Sequence, residues 1–126
     1  KKRFGTSIKN RCPSGFQATV EEKFKTTGGT YIEVPNDYRA SQYDHTADDY
    51  IKKKLSDRMY HLADGTLVQR DWYSSFLLYC YDYRTRNIDK DRCISEFEKC
   101  YSKEEALVKR IKINRIKVLN SGIKIV

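Results

Sequence analysis

The stretch Asp71-Trp72-Tyr73-Ser74-Ser75-Phe76-Leu77-Leu78-Tyr79-Cys80-Tyr81-Asp82-Tyr83 decides the fold of this chain. From Trp72 to Tyr83 apolar or aromatic residues fall on nearly every face of a helix, and such a helix has to be covered on several sides. Tyr73, Tyr79, Tyr81 and Tyr83 are too many aromatics for one face, so some of them are expected to meet another protein or domain. Asp71 stands at the entry, where a carboxylate either caps free backbone N–H groups or faces outward for chemistry.

Immediately upstream, Met59-Tyr60-His61-Leu62 and Thr66-Leu67-Val68 flank an Asp64-Gly65 turn, so residues 58–68 read as a short hairpin with His61 facing solvent. Residues 36–56 are polar and aperiodic and read as a surface loop. Within it His45 lies near Asp44, Asp48 and Asp49, a grouping open to metal coordination or to plain solvation with acids capping helices. Further upstream, Pro13 suits a first helical position, and Phe16, Val20 and Phe24 share one face. Thr26-Thr27-Gly28-Gly29 offers a left-handed stop, and Thr30 to Val34 alternates as a strand until Pro35. Helix, glycine cap and strand make an α/β unit.

Downstream, Ile94, Phe97 and Tyr101 place a helix over Asp89 to about Tyr101. A further helix is expected from Ser102, which forms a capping box with Glu105. Leu107, Ile111 and Val118 continue it only loosely, and Ile111-Lys112-Ile113 alternates like a strand, so the last twenty residues fit either form. Asn120-Ser121-Gly122 is a breaker before a short apolar tail.

With 126 residues, 39% of them hydrophobic and 33% charged, the chain reads as one domain with a modest core. No run of apolar residues is long enough for a membrane span, and Lys1-Lys2-Arg3-Phe4-Gly5 lacks the features of a secretory signal, so a cytoplasmic location is expected. The missing initiator methionine raises the expectation of a piece of something longer. The net charge of +8 sits at the ends: residues 1–27 and residues 103–126 each carry seven Lys/Arg against two Glu, while the centre is slightly acidic. Clustered positive charge either draws nucleic acid through counterion release or only keeps a solvated face soluble. Cys12, Cys80, Cys93 and Cys100 contain no Cys-x-x-Cys pair, which gives no foothold to zinc. Seven residues of helix rise roughly 10 Å, too far for a Cys93–Cys100 disulfide, and reduced thiols are expected, with Cys80 acting as a small hydrophobe.

No phosphate loop, nucleophile elbow or His-Glu-x-x-His is present. Asp71 is the candidate for chemistry, as a metal-holding carboxylate beside a phosphodiester, against the alternative of an N-terminal cap. At this point the chain resembles a family. Leu55-Ser56-Asp57-Arg58-Met59-Tyr60-His61 followed by Gln69-Arg70-Asp71-Trp72-Tyr73-Ser74-Ser75-Phe76-Leu77 looks like the C-terminal end of TnpB-type (OrfB) transposases of insertion sequences. Their pattern there is Leu-Ser-x-Arg-Trp-His, a turn, then Arg-Asp-Leu-Tyr-Ser-Ala-Phe. Ser7-Ile8-Lys9-Asn10-Arg11-Cys12-Pro13-Ser14-Gly15-Phe16 is similar to the family's Ser-x-x-x-Arg-Ala-Pro-Gly-x-Phe. Gly28-Gly29-Thr30-Tyr31-Ile32-Glu33-Val34 and Ala40-Ser41-Gln42 match its Gly-Gly-x-x-x-Glu-Val strand and the Ser-Gln before its zinc knuckle. The order holds over residues 7–80.

The resemblance implies an α/β fold. It would be a partial RNase H-like (RuvC) domain over residues 1–126, running helix, strand, hairpin and helix, followed by C-terminal helices. Residues 36–69 would be a degenerate knuckle insert and 84–126 a helical extension. It implies a nuclease of a mobile element, acting in DNA recombination with DNA and guide RNA as partners, in which Asp71 is the third carboxylate on Mg²⁺. The other two, an Asp and a Glu, would lie on an N-terminal part of the parent protein preceding Lys1, so the chain would be inactive alone. The knuckle's cysteine positions hold Tyr43, Asp44, His45, Thr46 and Ala47, and then Leu62-Ala63-Asp64-Gly65, so no zinc is expected, on His45 and His61 included. The insert would rest on packing by Tyr43, Tyr50 and Tyr60. Candidate nucleic-acid contacts are Lys1, Lys2, Arg3, Lys9, Arg11, Arg70, Lys109, Arg110, Lys112, Arg115 and Lys117. The alternative function is a non-enzymatic, basic nucleic-acid-binding or protein-interaction module.

Overall fold

A computed structural model describes residues 13–125. The chain falls into two units, Lys1–Glu33 and Val34–Val126. The first unit contains helix α1, Pro13–Thr26. Its end is a Schellman turn. Gly28 takes φ +74°, Gly29 N–H donates to the Phe24 carbonyl at 2.8 Å, and Gly28 N–H donates to that of Lys25 at 3.5 Å. The strand expected at Thr30–Val34 does not form, and these residues carry no regular structure. Alternation supplies a side-chain pattern, but a strand also needs a backbone partner, and the strands among the described residues all pair as local hairpins.

The second unit mixes α-helices with small antiparallel sheets. Its elements are the hairpin β1 (Tyr43–Asp44) and β2 (Asp49–Tyr50), the hairpin β3 (Met59–His61) and β4 (Leu67–Gln69), helix α2 (Arg70–Tyr79), the hairpin β5 (Tyr81–Asp82) and β6 (Asn87–Ile88), and helix α3 (Lys90–Ile113). Register pairs Tyr43 with Tyr50, Tyr60 with Val68 and Tyr81 with Ile88. The Asp64-Gly65 turn behaves as read from the sequence. Gly65 adopts φ +89°, and the Asp64 carboxylate accepts from Thr66 N–H at 2.9 Å.

The core gathers around α2. Tyr73, Phe76 and Leu77 are buried, and the cover comes from Val68 and Leu62 of the hairpin, Ala40 and Tyr43 before and on β1, Ile88 of β6, and Cys93 and Phe97 of α3. Trp72 stacks on Phe76 with ring centroids 5.9 Å apart, Phe97 stacks on Tyr101 at 5.4 Å, and Phe76 meets Phe97 edge to face at 5.4 Å. Tyrosine hydroxyls staple the elements: Tyr38 donates to the Leu77 carbonyl at 2.8 Å and Tyr101 to the Leu67 carbonyl at 2.9 Å. Cys80 and Cys93 are both fully buried free thiols. Hydrogen bonding to Cys80, with burial, pushes the Cys93 thiol pKa up.

Several expected boundaries shift. Helix α2 stops at Tyr79 because Cys80 ends it, its N–H bonded to the Phe76 carbonyl, and Tyr81–Asp82 turn away to pair with Asn87–Ile88. Tyr81 and Tyr83 are therefore not on the helix. The two helices expected beyond Asp89 are one, α3, capped by the Asp89 carboxylate on Arg92 N–H at 2.9 Å. Ser102 does not open a helix. Its hydroxyl donates back to the Lys99 carbonyl at 3.0 Å, and the strong helix formers Lys103 to Leu107 carry the helix through. The extension expected over 84–126 is helical only to Ile113; residues 114–125 are neither helix nor strand. Residues 36–56 are not a featureless loop, since β1–β2 lies there with Tyr43 and Asp44 buried. No helix among the described residues is long and apolar enough to cross a membrane.

Phe76 is 4% exposed and Phe16 72%. Phe76→Ala is expected to lower unfolding free energy by about 3–5 kcal/mol, whereas Phe16→Ala should change it by less than about 0.5 kcal/mol. Urea titrations of the two variants check this; equal losses would contradict the placement of the core.

Candidate functional site at the strand-to-helix junction

Strand β4 runs straight into α2, and the junction is tied to β3 by Arg70 N–H donating to the Arg58 carbonyl at 2.9 Å. The cap of α2 is Gln69, in extended geometry, whose side-chain oxygen accepts from Trp72 N–H at 2.7 Å. Asp71 is thus not the cap. It sits in the first turn, where a negative charge still suits the helix dipole. Gln69 is buried, and its amide nitrogen also reaches the Ser121 carbonyl at 3.3 Å and Asp71 Oδ2 at 3.4 Å. The tail holds this contact because Gly122 takes φ +77° and leaves room for Arg58, whose Cβ would lie 2.7 Å from any Cβ added there.

The Asp71 side chain is 61% exposed. Arg70 Nε donates to Oδ1 at 3.0 Å, and Arg58 Nη1 lies 3.9 Å from Oδ2. The Arg70 hydrogen bond holds the Asp71 pKa below the usual carboxylate value, with help from Gln69 and the Arg58 charge against a small desolvation cost. Arg70 is no freely offered cation, because its other nitrogen Nη1 donates to the Leu55 carbonyl at 2.6 Å. The residues around Asp71 do not fit Mg²⁺ by themselves. The ion asks for several oxygen ligands, and here one carboxylate faces two guanidiniums and an amide. Among the described residues no three His, Cys, Asp or Glu side chains converge.

Of the basic candidates, Lys1, Lys2, Arg3, Lys9 and Arg11 lie outside the described residues. Lys109, Arg110 and Lys112 are exposed on the last turns of α3, and Arg115 and Lys117 are exposed just beyond it. None of these five forms an ion pair among the described residues. Lys109 and Lys112 flank a groove of about 640 Å³ whose floor includes Met59, Leu67 and Tyr101.

His45 and Asp44 behave differently from both readings of their segment. Asp44 is 1% exposed and locks two loops together: Oδ1 accepts from Thr46 N–H and its hydroxyl at 2.9 and 2.6 Å, and Oδ2 from Ala63 N–H at 2.9 Å. Burial alone would raise its pKa, but these hydrogen bonds outweigh burial and hold it below the usual value. His45 packs on Phe97 with centroids 4.4 Å apart. Its N–H donates to the Tyr73 hydroxyl at 3.1 Å, and its Nδ1 lies 2.7 Å from the same oxygen. The Tyr73 hydroxyl can donate to Nδ1 of a neutral imidazole or accept from a protonated Nδ1, so the direction of this hydrogen bond follows the tautomer. His61, by contrast, is exposed on β3, as expected. Also unforeseen is Lys53, whose ammonium lies 3.9 Å from the Tyr60 ring centroid without a hydrogen-bond partner, and whose pKa burial lowers.

Burial lowers the His45 pKa below its ordinary 6.5, against the charges of Asp44 and Asp64. A depressed histidine contributes stability above its unfolded pKa and loses it as pH falls, because the unfolded chain takes up the proton first. Urea midpoints should therefore fall from about pH 7 to about pH 5, and His45→Gln, which keeps an acceptor but does not titrate, should flatten that slope. An unchanged slope in the variant would remove His45 as the source. Comparison of the chain with protein-family models, with curated proteins and with solved structures finds no match.

Proposed function

We propose that this chain is the C-terminal part of a TnpB-like, RuvC-type nuclease of a mobile element, a segment that binds nucleic acid and does not cleave it alone. What carries the reading is the junction itself. An exposed carboxylate, Asp71, follows directly on a strand and sits on a helix anchored by the core, within the order of motifs that resembles the family. In this reading the fold is a portion of an RNase H-like domain, and the parent protein supplies the other two carboxylates. When assembled, such a site takes Mg²⁺, which supplies Lewis-acid chemistry at a phosphodiester. One carboxylate between two guanidiniums offers neither the charge nor the ligand number, so hydrolysis belongs to the assembled nuclease. DNA is the partner, with guide RNA as a second, and the cytoplasm is the place of action. The exposure of Leu78, Tyr79 and Tyr83 at 45%, 49% and 55% favours a second reading, a non-enzymatic, basic nucleic-acid-binding or protein-interaction module.

Lys109, Arg110, Lys112, Arg115 and Lys117 carry the expected affinity. Five phosphate contacts on duplex DNA correspond to a slope of log K against log salt of about −4.5, and Lys109→Gln/Arg110→Gln/Lys112→Gln should reduce its magnitude by about 2.7. Fluorescence polarisation with labelled duplex DNA across a salt series measures both. Binding that does not weaken with salt would remove the nucleic-acid reading, and a tight Mg²⁺ site in calorimetry of the isolated chain would contradict the incomplete-site assignment.

A further inference from the structure

A recess of about 360 Å³ opens where the segment before β1, strand β2 and the β5–β6 turn meet. Its size is that of a small-ligand pocket. Two guanidiniums line it, Arg39 and Arg86, both exposed and neither in an ion pair among the described residues. One carboxylate, Asp37, shares the lining, so the recess keeps net positive charge. Tyr50 lines it too, its ring leaning on Tyr43 at 5.2 Å and remaining 43% exposed. Asn87 adds a donor, because its Oδ1 already accepts from Ile88 N–H and its amide NH₂ is left over. Arg86 holds φ +55°, a left-handed conformation in which glycine would be less strained. The turn thus carries a charged side chain where backbone preference alone would not choose one.

A guanidinium matches the fork geometry of a phosphate, two of them line the same recess, and an exposed tyrosine ring is a stacking platform for a base. We propose that this recess holds one nucleotide unit of a single-stranded nucleic acid, its phosphate between Arg39 and Arg86 and its base against Tyr50. A duplex is disfavoured because its bases keep their faces stacked on one another and offer none to the ring. The assignment rests on the nucleic-acid reading above and names where a strand is gripped.

The test is fluorescence polarisation of the full chain with labelled oligothymidylate, oligouridylate and a duplex, with thermal melts of every variant. Arg86→Gly removes the guanidinium and relieves the left-handed strain, so it should melt no lower than the wild type. It should still bind oligothymidylate about tenfold more weakly, with the magnitude of the salt slope reduced by about 0.7. Arg39→Gln should do the same to binding. Tyr50→Leu should weaken binding about tenfold without changing the slope. Equal losses on the duplex would overturn the single-strand assignment. Unchanged binding in Arg86→Gly and Arg39→Gln, with loss in Lys109→Gln/Lys112→Gln, would overturn the recess while leaving the nucleic-acid reading standing. A wild-type chain that binds none of the three probes would end both. Tighter binding to oligouridylate than to oligothymidylate would keep the recess and point to RNA.

Discussion

None of the three hairpins in the second unit can stand by itself. Ribbons of two or three residues per strand have too few ladder hydrogen bonds and too little buried surface to hold in water, so each depends on packing against α2. Helix α2 is only ten residues long and is itself marginal in isolation. The unit therefore folds as one aromatic cluster. Tyr73, Phe76 and Trp72 on α2 face Phe97 and Tyr101 on α3, and the hairpins close the remaining sides. Removing either helix would leave the ribbons without cover.

An aromatic cluster alone does not fix orientation, since flat rings slide past one another at small cost. Polar contacts between elements do the fixing. Asp44 holds the β1–β2 turn to Ala63 in the β3–β4 loop, and Tyr73 draws His45 onto α2. Asp48 binds both the Tyr43 hydroxyl at 2.8 Å and the Lys90 ammonium at 2.7 Å, joining the first hairpin to the start of α3. The enclosed Asp44 and the Tyr73 hydroxyl would be costly to leave unpaired, and the exposed Asp48–Lys90 pair adds a weaker tie, so together they favour one arrangement of elements among several of similar apolar burial.

What was legible in the sequence follows local physics. The glycine stop after α1 and the Asp64-Gly65 turn are each dictated by neighbours in the chain and stand where the pattern placed them, and the helix read over residues 72–83 forms and buries Tyr73, Phe76 and Leu77 but ends at Tyr79. What failed depended on distant partners. Thr30–Val34 alternates without a strand to pair with, and Ser102 with Glu105 has the form of a cap but lies among residues that favour continuing the helix. At the junction, Asp71 was visible as an acid before an apolar run, but a glutamine cap lacks the usual signature, and the role of Gln69 rests on Ser121, fifty-two residues away in sequence. Asp44 and His45 looked solvated because their own segment is polar; their burial is imposed by Tyr73, Ala63 and Phe97. Arg39 and Arg86 lie too far apart in the chain for any local pattern to join them.

The two aspartates mark opposite uses of the same group. Asp44 is enclosed, and all three of its strong hydrogen bonds come from the fold, so its charge is committed and exchanging a partner would cost the unit its loop geometry. Asp71 has the reverse distribution. Its backbone is fixed by a buried cap, a helix and a glycine-dependent tail contact, whereas its carboxylate is solvated and meets the largely covered Arg70 at 3.0 Å and the half-exposed Arg58 at 3.9 Å, pairs that water at the carboxylate weakens. A fixed backbone under a solvated carboxylate lets the charge meet water and neighbouring guanidiniums without moving the chain. It is this difference in what holds each carboxylate, and not the presence of an acid at a helix entry, that separates Asp71 from Asp44.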